Sequence, residues 1–242
     1  MTLDVRLFPC LSDNYGFLAR DRATGQVAAV DTPDADAILA DLGASGWGRL
    51  DLILNTHWHP DHTQGNAAVQ AATGCEIVGP EEVARAAPLD RAVGEGDEVR
   101  LGETRFQVLA MPGHTLGHVV FRAPAAGLAF VGDVIFPLGC GRLFEGSPDQ
   151  MWTSLSRIAA WPDDTVLWAA HEYAEGNARF ALTVDDGPGL AAHVASLLAR
   201  RAGGEATIPT TVGVERAFNP FLTAGDAATF AARRAAKDVF RG

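Results

Sequence analysis

No stretch of this 242-residue chain is apolar over the about 18 residues that a membrane-spanning helix needs, so none is expected. The N-terminus also lacks the basic-then-apolar layout of a secretory signal, with Asp4 and Arg6 inside its first ten residues. A cytoplasmic location is the expectation. Cysteine is scarce: Cys10, Cys75 and Cys140 are widely spaced and odd in number, which argues against a disulfide framework and against a cysteine-based zinc knuckle. Positive charge is short as well. Nineteen Lys and Arg face thirty Asp and Glu, a formal net charge of -11, which argues against nucleic acid or an anionic membrane as a partner. No internal repeat or low-complexity linker interrupts the chain. What is there is ordinary for a globular enzyme, 48% hydrophobic and 20% charged, and long enough for one sizeable core plus a small second unit.

Short strand-like runs fill the first two-thirds: Val5 to Phe8, Tyr15 to Ala19, Gln26 to Val30, Leu50 to Leu54, Cys75 to Val78, Arg105 to Ala110, Val119 to Arg122, Leu128 to Val131 and Thr165 to Ala169. Asp34 to Ala44 reads as a helix, with Ile38, Leu39 and Leu42 at helical spacing. The clearest helix start is Ser147-Pro148-Asp149-Gln150. Serine at the cap, glutamine three residues on and proline at the first helical position form a capping box, and Met151, Leu155 and Ile158 follow as a buried stripe. After His171 three helical stretches are predicted, Glu175 to Val184, Leu190 to Ala202 and Asp226 to Phe240, with no convincing strand. The reading is an α/β body over 1–171 and a small helical unit over 172–242.

One segment outweighs the rest. Thr56-His57-Trp58-His59-Pro60-Asp61-His62 directly follows a buried strand and crowds three of the chain's seven histidines together with an aspartate. Neutral imidazole suits zinc and iron, and a carboxylate adds a harder oxygen ligand. Alternation in His57-x-His59 lets two extended side chains point the same way, while Asp61 and His62 follow round a turn. One ion cannot take all four and keep room for water, so two metal ions are predicted. Three further strands each deliver a ligand-capable residue at their C-terminal end: His114 after Pro112-Gly113, Asp133 after Gly132, and His171 after Ala169-Ala170. His118 is expected to support or pack against this set, and His193 to lie on the surface.

With these residues assembled, the chain resembles the metallo-β-lactamase superfamily and, within it, the hydroxyacylglutathione hydrolase (glyoxalase II) family. The likeness runs over essentially the whole length. It includes Ser12-Asp13-Asn14-Tyr15, the His57–His62 motif, Pro112-Gly113-His114-Thr115, Gly132-Asp133, the loop Gly139-Cys140-Gly141-Arg142-Leu143-Phe144-Glu145-Gly146, His171-Glu172-Tyr173 and Arg234-Ala235-Ala236-Lys237-Asp238. The resemblance implies an αββα sandwich followed by a helical glutathione-binding domain. It implies His57, His59 and His114 on a first metal, Asp61, His62 and His171 on a second, and Asp133 bridging both, with Asp61 and Asp133 serving catalysis and a metal-held hydroxide as nucleophile. The cofactor is two divalent ions, zinc, with iron or manganese as alternatives. Arg142, Phe144, Tyr173, Arg234 and Lys237 are implied to bind the glutathione part of a small-molecule thioester, hydrolysed to glutathione and a 2-hydroxy acid such as D-lactate, and the protein is implied to be a monomer. Many members have tyrosine where this chain has Phe144, so one hydroxyl contact is missing. Two alternatives use the same fold: a glutathione-persulfide dioxygenase with one iron, and a non-catalytic binder of glutathione conjugates. The full ligand set and the long segment after His171 count against the first, and the full ligand set counts against the second.

Overall fold

The structure is a computed structural model and describes residues 2–242. Two compact units divide the chain, Met1–Ala110 with Gly117–Gly132, and Met111–Leu116 with Asp133–Gly242.

In the first unit, β1 (Leu3–Cys10), β2 (Asn14–Asp21), β3 (Val27–Val30), β4 (Leu52–Leu54), β5 (Glu76–Gly79) and β6 (Arg91–Ala92) form a mixed sheet in that order. The strands β1, β2 and β3 pair antiparallel, and β3 to β6 run parallel. Parallel neighbours need crossovers, and helices supply the first two. The helix α1 (Ala35–Ser45) links β3 to β4, while α2 (Pro60–Thr63) and α3 (Asn66–Thr73) link β4 to β5. Asp34 caps α1 by accepting from the backbone N–H groups of Asp36 and Ala37, and Gly46 ends it in the left-handed conformation, as the sequence pattern requires.

Side-chain alternation assigns the two faces of this sheet. Leu18, Ala29, Ile53 and Ile77, cross-strand neighbours on one face, cluster with Ile38 and Leu42 of α1 and Val69 of α3. Each large side chain buried this way contributes about 1.5–3 kcal/mol. The opposite face presents Phe17, whose ring lies 5.8 Å from that of Phe130, itself 6.2 Å from Phe106. Those two phenylalanines belong to a second set of antiparallel strands, β7 (Glu98–Leu101), β8 (Thr104–Ala110), β9 (Val119–Ala123) and β10 (Leu128–Gly132). Helix, sheet and sheet thus stack in this unit around an aromatic interlayer.

The second unit holds a short hairpin of β11 (Ile135–Phe136) and β12 (Gly139–Cys140), then α4 (Pro148–Ala159), β13 (Val166–Ala169), α5 (Ala174–Val184), α6 (Leu190–Ala202), β14 (Thr210–Thr211), α7 (Val212–Phe218) and α8 (Ala227–Val239). The capping box of α4 is formed as the sequence predicts, with Ser147 accepting from the Gln150 N–H and the Gln150 side chain accepting from the Ser147 N–H. Trp152 of α4 packs on Phe230 of α8 at 6.0 Å between rings. The helices α5 and α6 enclose Leu138 with Ala178, Ala181, Leu190, Val194 and Leu197.

Beyond His171, three features differ from the sequence reading. After His171 there is a strand, β14, pairing with β13 through Val166↔Thr211 and Leu167↔Thr210, and there is a fourth helix, α7. A two-residue strand shows no period, and seven helical residues show less than two turns of one. His193 is also half-buried rather than on the open surface, stacked on Phe218 at 4.5 Å, and burial together with nearby Arg200 lowers its pKa.

Within α7, Glu215 is buried and accepts hydrogen bonds from Thr210 Oγ1 at 2.6 Å, Leu138 N–H at 2.9 Å and Asn219 Nδ2 at 2.9 Å. Burial pushes its pKa up from 4.5 to about 7, although the three donors pull the other way. A carboxyl whose folded pKa is raised gives stability that is full below the unfolded value and lost as pH rises through the folded one. Stability to urea is therefore expected to fall between pH 4.5 and about 7 by an amount on the order of 3 kcal/mol. Glu215→Gln is expected to flatten that slope, and an unchanged slope in the variant would assign it to other groups.

Candidate metal centre

The parallel strands of the first unit end together, and the segment after β4 carries four of the seven donors. After β4, residues Asn55 to His62 bring His57, His59, Asp61 and His62 to one place. His57 Nε2 lies 3.0 Å from His59 Nδ1, the His57 and His62 rings are 4.0 Å apart, and His62 Nε2 lies 3.6 Å from Asp61 Oδ2. Pro60 at the first helical position turns the chain into α2, so Asp61 and His62 leave the extended line of His57 and His59. Asp61 is anchored by Asn14, whose Nδ2 donates to its carbonyl and to Oδ2, both at 3.1 Å.

His62 is oriented by a residue the sequence reading did not single out. Asp31, just past β3, accepts from Thr56 N–H and Thr56 Oγ1, each at 2.8 Å, and its Oδ2 lies 2.8 Å from His62 Nδ1. A carboxylate on Nδ1 fixes the tautomer that offers Nε2 to a cation and makes the ring more basic. Asp31 has φ of 56°, a left-handed conformation that aspartate tolerates better than most residues. The signal for it was present: it is a carboxylate at the C-terminal end of a buried strand, the same pattern that picked out Asp133. Below this group, buried His118 stacks on His57 at 4.8 Å and 23°, and a Cβ on Gly132 would come within 2.7 Å of His118 Nε2. His118 therefore supports the histidines by packing.

The second unit carries the other three. His114 directs Nδ1 to the Arg142 carbonyl at 2.8 Å, which leaves Nε2 facing Asp133 Oδ2 at 3.3 Å. His171 Nε2 lies 3.4 Å from Asp133 Oδ1. The two oxygens of Asp133 thus face two different imidazoles, an arrangement suited to a carboxylate between two cations. Glu172, next to His171, is half-buried and accepts from Thr207 N–H at 2.8 Å and Thr207 Oγ1 at 2.7 Å, pinning the segment that ends β13.

Ligand-capable atoms come from four residues of the first unit, His57, His59, Asp61 and His62, and from three of the second, His114, Asp133 and His171. Every one of these residues is buried except His59 and Asp61, which are half-buried. Mixed imidazole and carboxylate donors at this density suit borderline divalent ions, and seven donors exceed what one ion accepts. The residues fit a binuclear metal site.

The five residues implied to contact substrate all lie in the second unit. Phe144 is 60% exposed and meets His114 edge to face at 5.3 Å. Tyr173 stacks on His171 at 4.7 Å and 4°, with Phe136 edge-on to it at 5.1 Å. Arg142 is exposed, 6.0 Å above the Phe144 ring, with Nε 3.4 Å from Asp238 Oδ1. Lys237, the single lysine of the chain, is half-buried between the Phe180 and Phe240 rings and donates to the Gly176 carbonyl at 2.6 Å. Burial, then Arg234 and Arg179, lower its pKa from 10.5 to about 8.

Arg234 has a different setting from the other four. It is buried, donates to the Cys140 carbonyl at 2.9 Å and to Asp238 Oδ1 at 2.9 Å, and its guanidinium sits 5.1 Å above Phe221. Its hydrogen bonds are spent on the glycine-rich loop and on its own helix. The i, i+3 spacing with Lys237 signalled a shared face but not that the face turns inward.

Comparison with known proteins agrees with this geometry. The family described as the metallo-beta-lactamase superfamily matches residues 30–171, and the hydroxyacylglutathione hydrolase C-terminus matches residues 172–241. The hydroxyacylglutathione hydrolase of Erythrobacter litoralis is 48% identical over 98% of this chain and 100% of its own length. That of Maricaulis maris is 50% identical over 93% of this chain and 88% of its own. Among solved structures, ETHE1 from Myxococcus xanthus superposes with a TM-score of 0.75 at 27% identity, covering 98% of this chain and 92% of that one. TTHA1623, solved in a di-iron-bound form, shares the fold with a TM-score of 0.65 at 24% identity, covering 90% of this chain and 100% of that one. From its metal-donor cluster to its C-terminal helices, the chain belongs to the hydroxyacylglutathione hydrolase family of the metallo-β-lactamase superfamily.

Proposed function

We propose that this protein hydrolyses S-(2-hydroxyacyl)glutathione thioesters, S-D-lactoylglutathione among them, to glutathione and the free 2-hydroxy acid. The observation that carries the reading is the combination of the His/Asp donor cluster with C-terminal helices that match hydroxyacylglutathione hydrolases. Relatives bearing that name match over nearly the whole chain, 48% identical over 98% of it and 50% identical over 93%. The body, 1–171, is assigned to catalysis and the helical part, 172–242, to glutathione binding. A persulfide dioxygenase or a silent binding protein has no observation in its favour that the hydrolase lacks.

In this reading His57, His59 and His114 hold one divalent ion, Asp61, His62 and His171 hold the other, and Asp133 serves both. Zinc is the proposed occupant, with iron or manganese as alternatives that the same donors accept. When bound, the ions acidify a water and polarise the thioester carbonyl. The protein's own residues then do the rest. Asp31 and the Arg142 carbonyl hold His62 and His114 in the tautomers that offer Nε2. Asn14 keeps the Asp61 carboxylate turned toward His62. Phe144 and Tyr173 form apolar walls beside His114 and His171, limiting water around the reacting carbonyl. Arg142 and Lys237 supply cations for the carboxylates of the tripeptide, a local opposite to the net charge of -11. Arg234 keeps Arg142 in place through the Cys140 carbonyl. The leaving group is a thiol of pKa near about 8.5, so no strong general acid is needed.

Cys140 does not serve as a nucleophile. It is buried, and burial pushes its thiol up to about 11 despite the nearby Arg234. Purified protein is expected to hydrolyse S-D-lactoylglutathione, to lose the activity on chelation and to regain it with zinc. Failure of the fully metal-loaded protein to do so would remove the proposal. Cys140→Ala is expected to retain kcat within a few-fold, while Asp133→Ala loses bound metal and at least about 100-fold in kcat.

Lys237 generates a pH prediction. Raising pH through about 8 removes its charge, so KM for the thioester is expected to climb above that pH while kcat changes little. Lys237→Arg, which stays charged, is expected to hold KM flat across the range. A parallel rise in both proteins would take Lys237 out of substrate binding.

A further inference from the structure

The hairpin of β11 and β12 is tied down by polar side chains from three places in the second unit's helices. Asn219 Nδ2, at the C-terminal cap of α7, donates to the Phe136 carbonyl at 3.1 Å and to the Gly139 carbonyl at 2.9 Å. Glu215 accepts the Leu138 N–H at 2.9 Å. Asn177 of α5 donates to the Pro137 carbonyl at 3.2 Å. Four consecutive residues of a tight turn thus have a backbone group satisfied by a buried side chain from a helix. The two α7 groups are joined to each other as well, since Asn219 Nδ2 lies 2.9 Å from Glu215 Oε2. Thr210 donates to the other Glu215 oxygen at 2.6 Å, and Asn219 Oδ1 accepts from Phe221 N–H at 3.0 Å. Leu138 is held with φ of 57°, a conformation that a γ-branched residue adopts only when its surroundings impose it.

This turn stands between donors of the metal centre. Asp133 lies two residues before β11. At the far end of the hairpin Gly141 N–H donates to the Val134 carbonyl at 3.3 Å, and a Cβ on Gly141 would come within 2.0 Å of the Asp133 carbonyl and 3.1 Å of His114 Nδ1. The next carbonyl, that of Arg142, is the one that orients His114. On the hairpin itself, the Phe136 ring packs edge-on against His171 at 5.9 Å and Tyr173 at 5.1 Å. A displacement of this one turn therefore reaches Asp133 through the chain, His114 through the Arg142 carbonyl, and His171 through the Phe136 ring.

From these contacts we infer that Glu215 and Asn219 are positioning residues for the metal centre: together they set the hairpin that aligns His114, Asp133 and His171. The inference rests on the metal-binding part of the proposed function and not on which thioester is hydrolysed. The pair works by complementarity of donors and acceptors. Asn219 must donate, because it faces two carbonyls and a carboxyl oxygen. Glu215 must accept at Oε2, because it faces two donors there, whereas at Oε1 it faces a hydroxyl that can donate or accept.

That difference makes the test. Asn219→Asp removes both protons of the amide and sets a carboxylate against two carbonyls and Glu215. Glu215→Gln keeps the Oε2 acceptor and places its new amide toward Thr210, whose hydroxyl can turn to accept. Cobalt(II) is titrated into the metal-free full-length proteins, reading affinity by chelator competition and ligand geometry by the visible d–d bands. Asn219→Asp is expected to bind cobalt about 10–100-fold more weakly with shifted bands, and Glu215→Gln to stay within about threefold of wild type. With zinc restored, Asn219→Asp is expected to lower kcat with KM for S-D-lactoylglutathione changed by less than about threefold. If Asn219→Asp does not fold, Thr210→Val, which deletes the single hydrogen bond to Glu215 Oε1, carries the test with an expected several-fold loss of cobalt affinity.

Folded variants that lose melting temperature but keep wild-type cobalt affinity and bands would make the pair merely structural and overturn the inference. Wild-type protein that takes up cobalt with these differences among the variants, yet cleaves no glutathione thioester, would leave the inference standing and remove the proposed function.

Discussion

Imidazoles and carboxylates buried side by side are stable only if each is hydrogen-bonded on the side turned away from the ion, and much of this structure answers that requirement. A buried carboxylate without partners costs several kcal/mol, and a histidine free to flip presents the wrong nitrogen half the time. Here His62 is held by Asp31, His114 by the Arg142 carbonyl, and Asp61 by Asn14. Asp31 is in turn held by Thr56, and the Arg142 loop by Arg234 through Cys140. The strands contribute rigidity and a common rim, but the direction of each donor is decided by these second contacts.

The same requirement explains which parts of the molecule could be read from the sequence. The His57–His62 segment announces itself because its residues are adjacent, and His114, Asp133 and His171 because each ends an apolar run. Helix caps are also local: Asp34, Ser147 and Gln150 behave as their spacing demands. The supporting residues are separated from what they support by long stretches of chain. Asp31 reaches His62 over 31 positions, Asn14 reaches Asp61 over 47, and Arg234 reaches Cys140 over 94. Neither periodicity nor spacing carries such a pairing.

Arg234 illustrates a second reason. An arginine and a lysine three apart near a helix end look like a cationic face, and the chemistry of a dicarboxylate ligand makes that reading attractive. Yet α8 packs on α4 through Phe230, and this fixes the rotation of the helix so that Arg234 points under the glycine-rich loop. Lys237, three residues on, is only half-buried. The sequence defines the stripe; the partner helix decides which side of the stripe meets solvent.

The order in which these pieces occur along the chain has a consequence for assembly. A ribosome-bound chain that has extruded everything through His171 already carries all seven donors. Phe136, Leu138 and Gly139 still wait for partners 77 to 83 residues downstream. In order of synthesis the seven donors thus come before the side chains that hold the turn beside three of them.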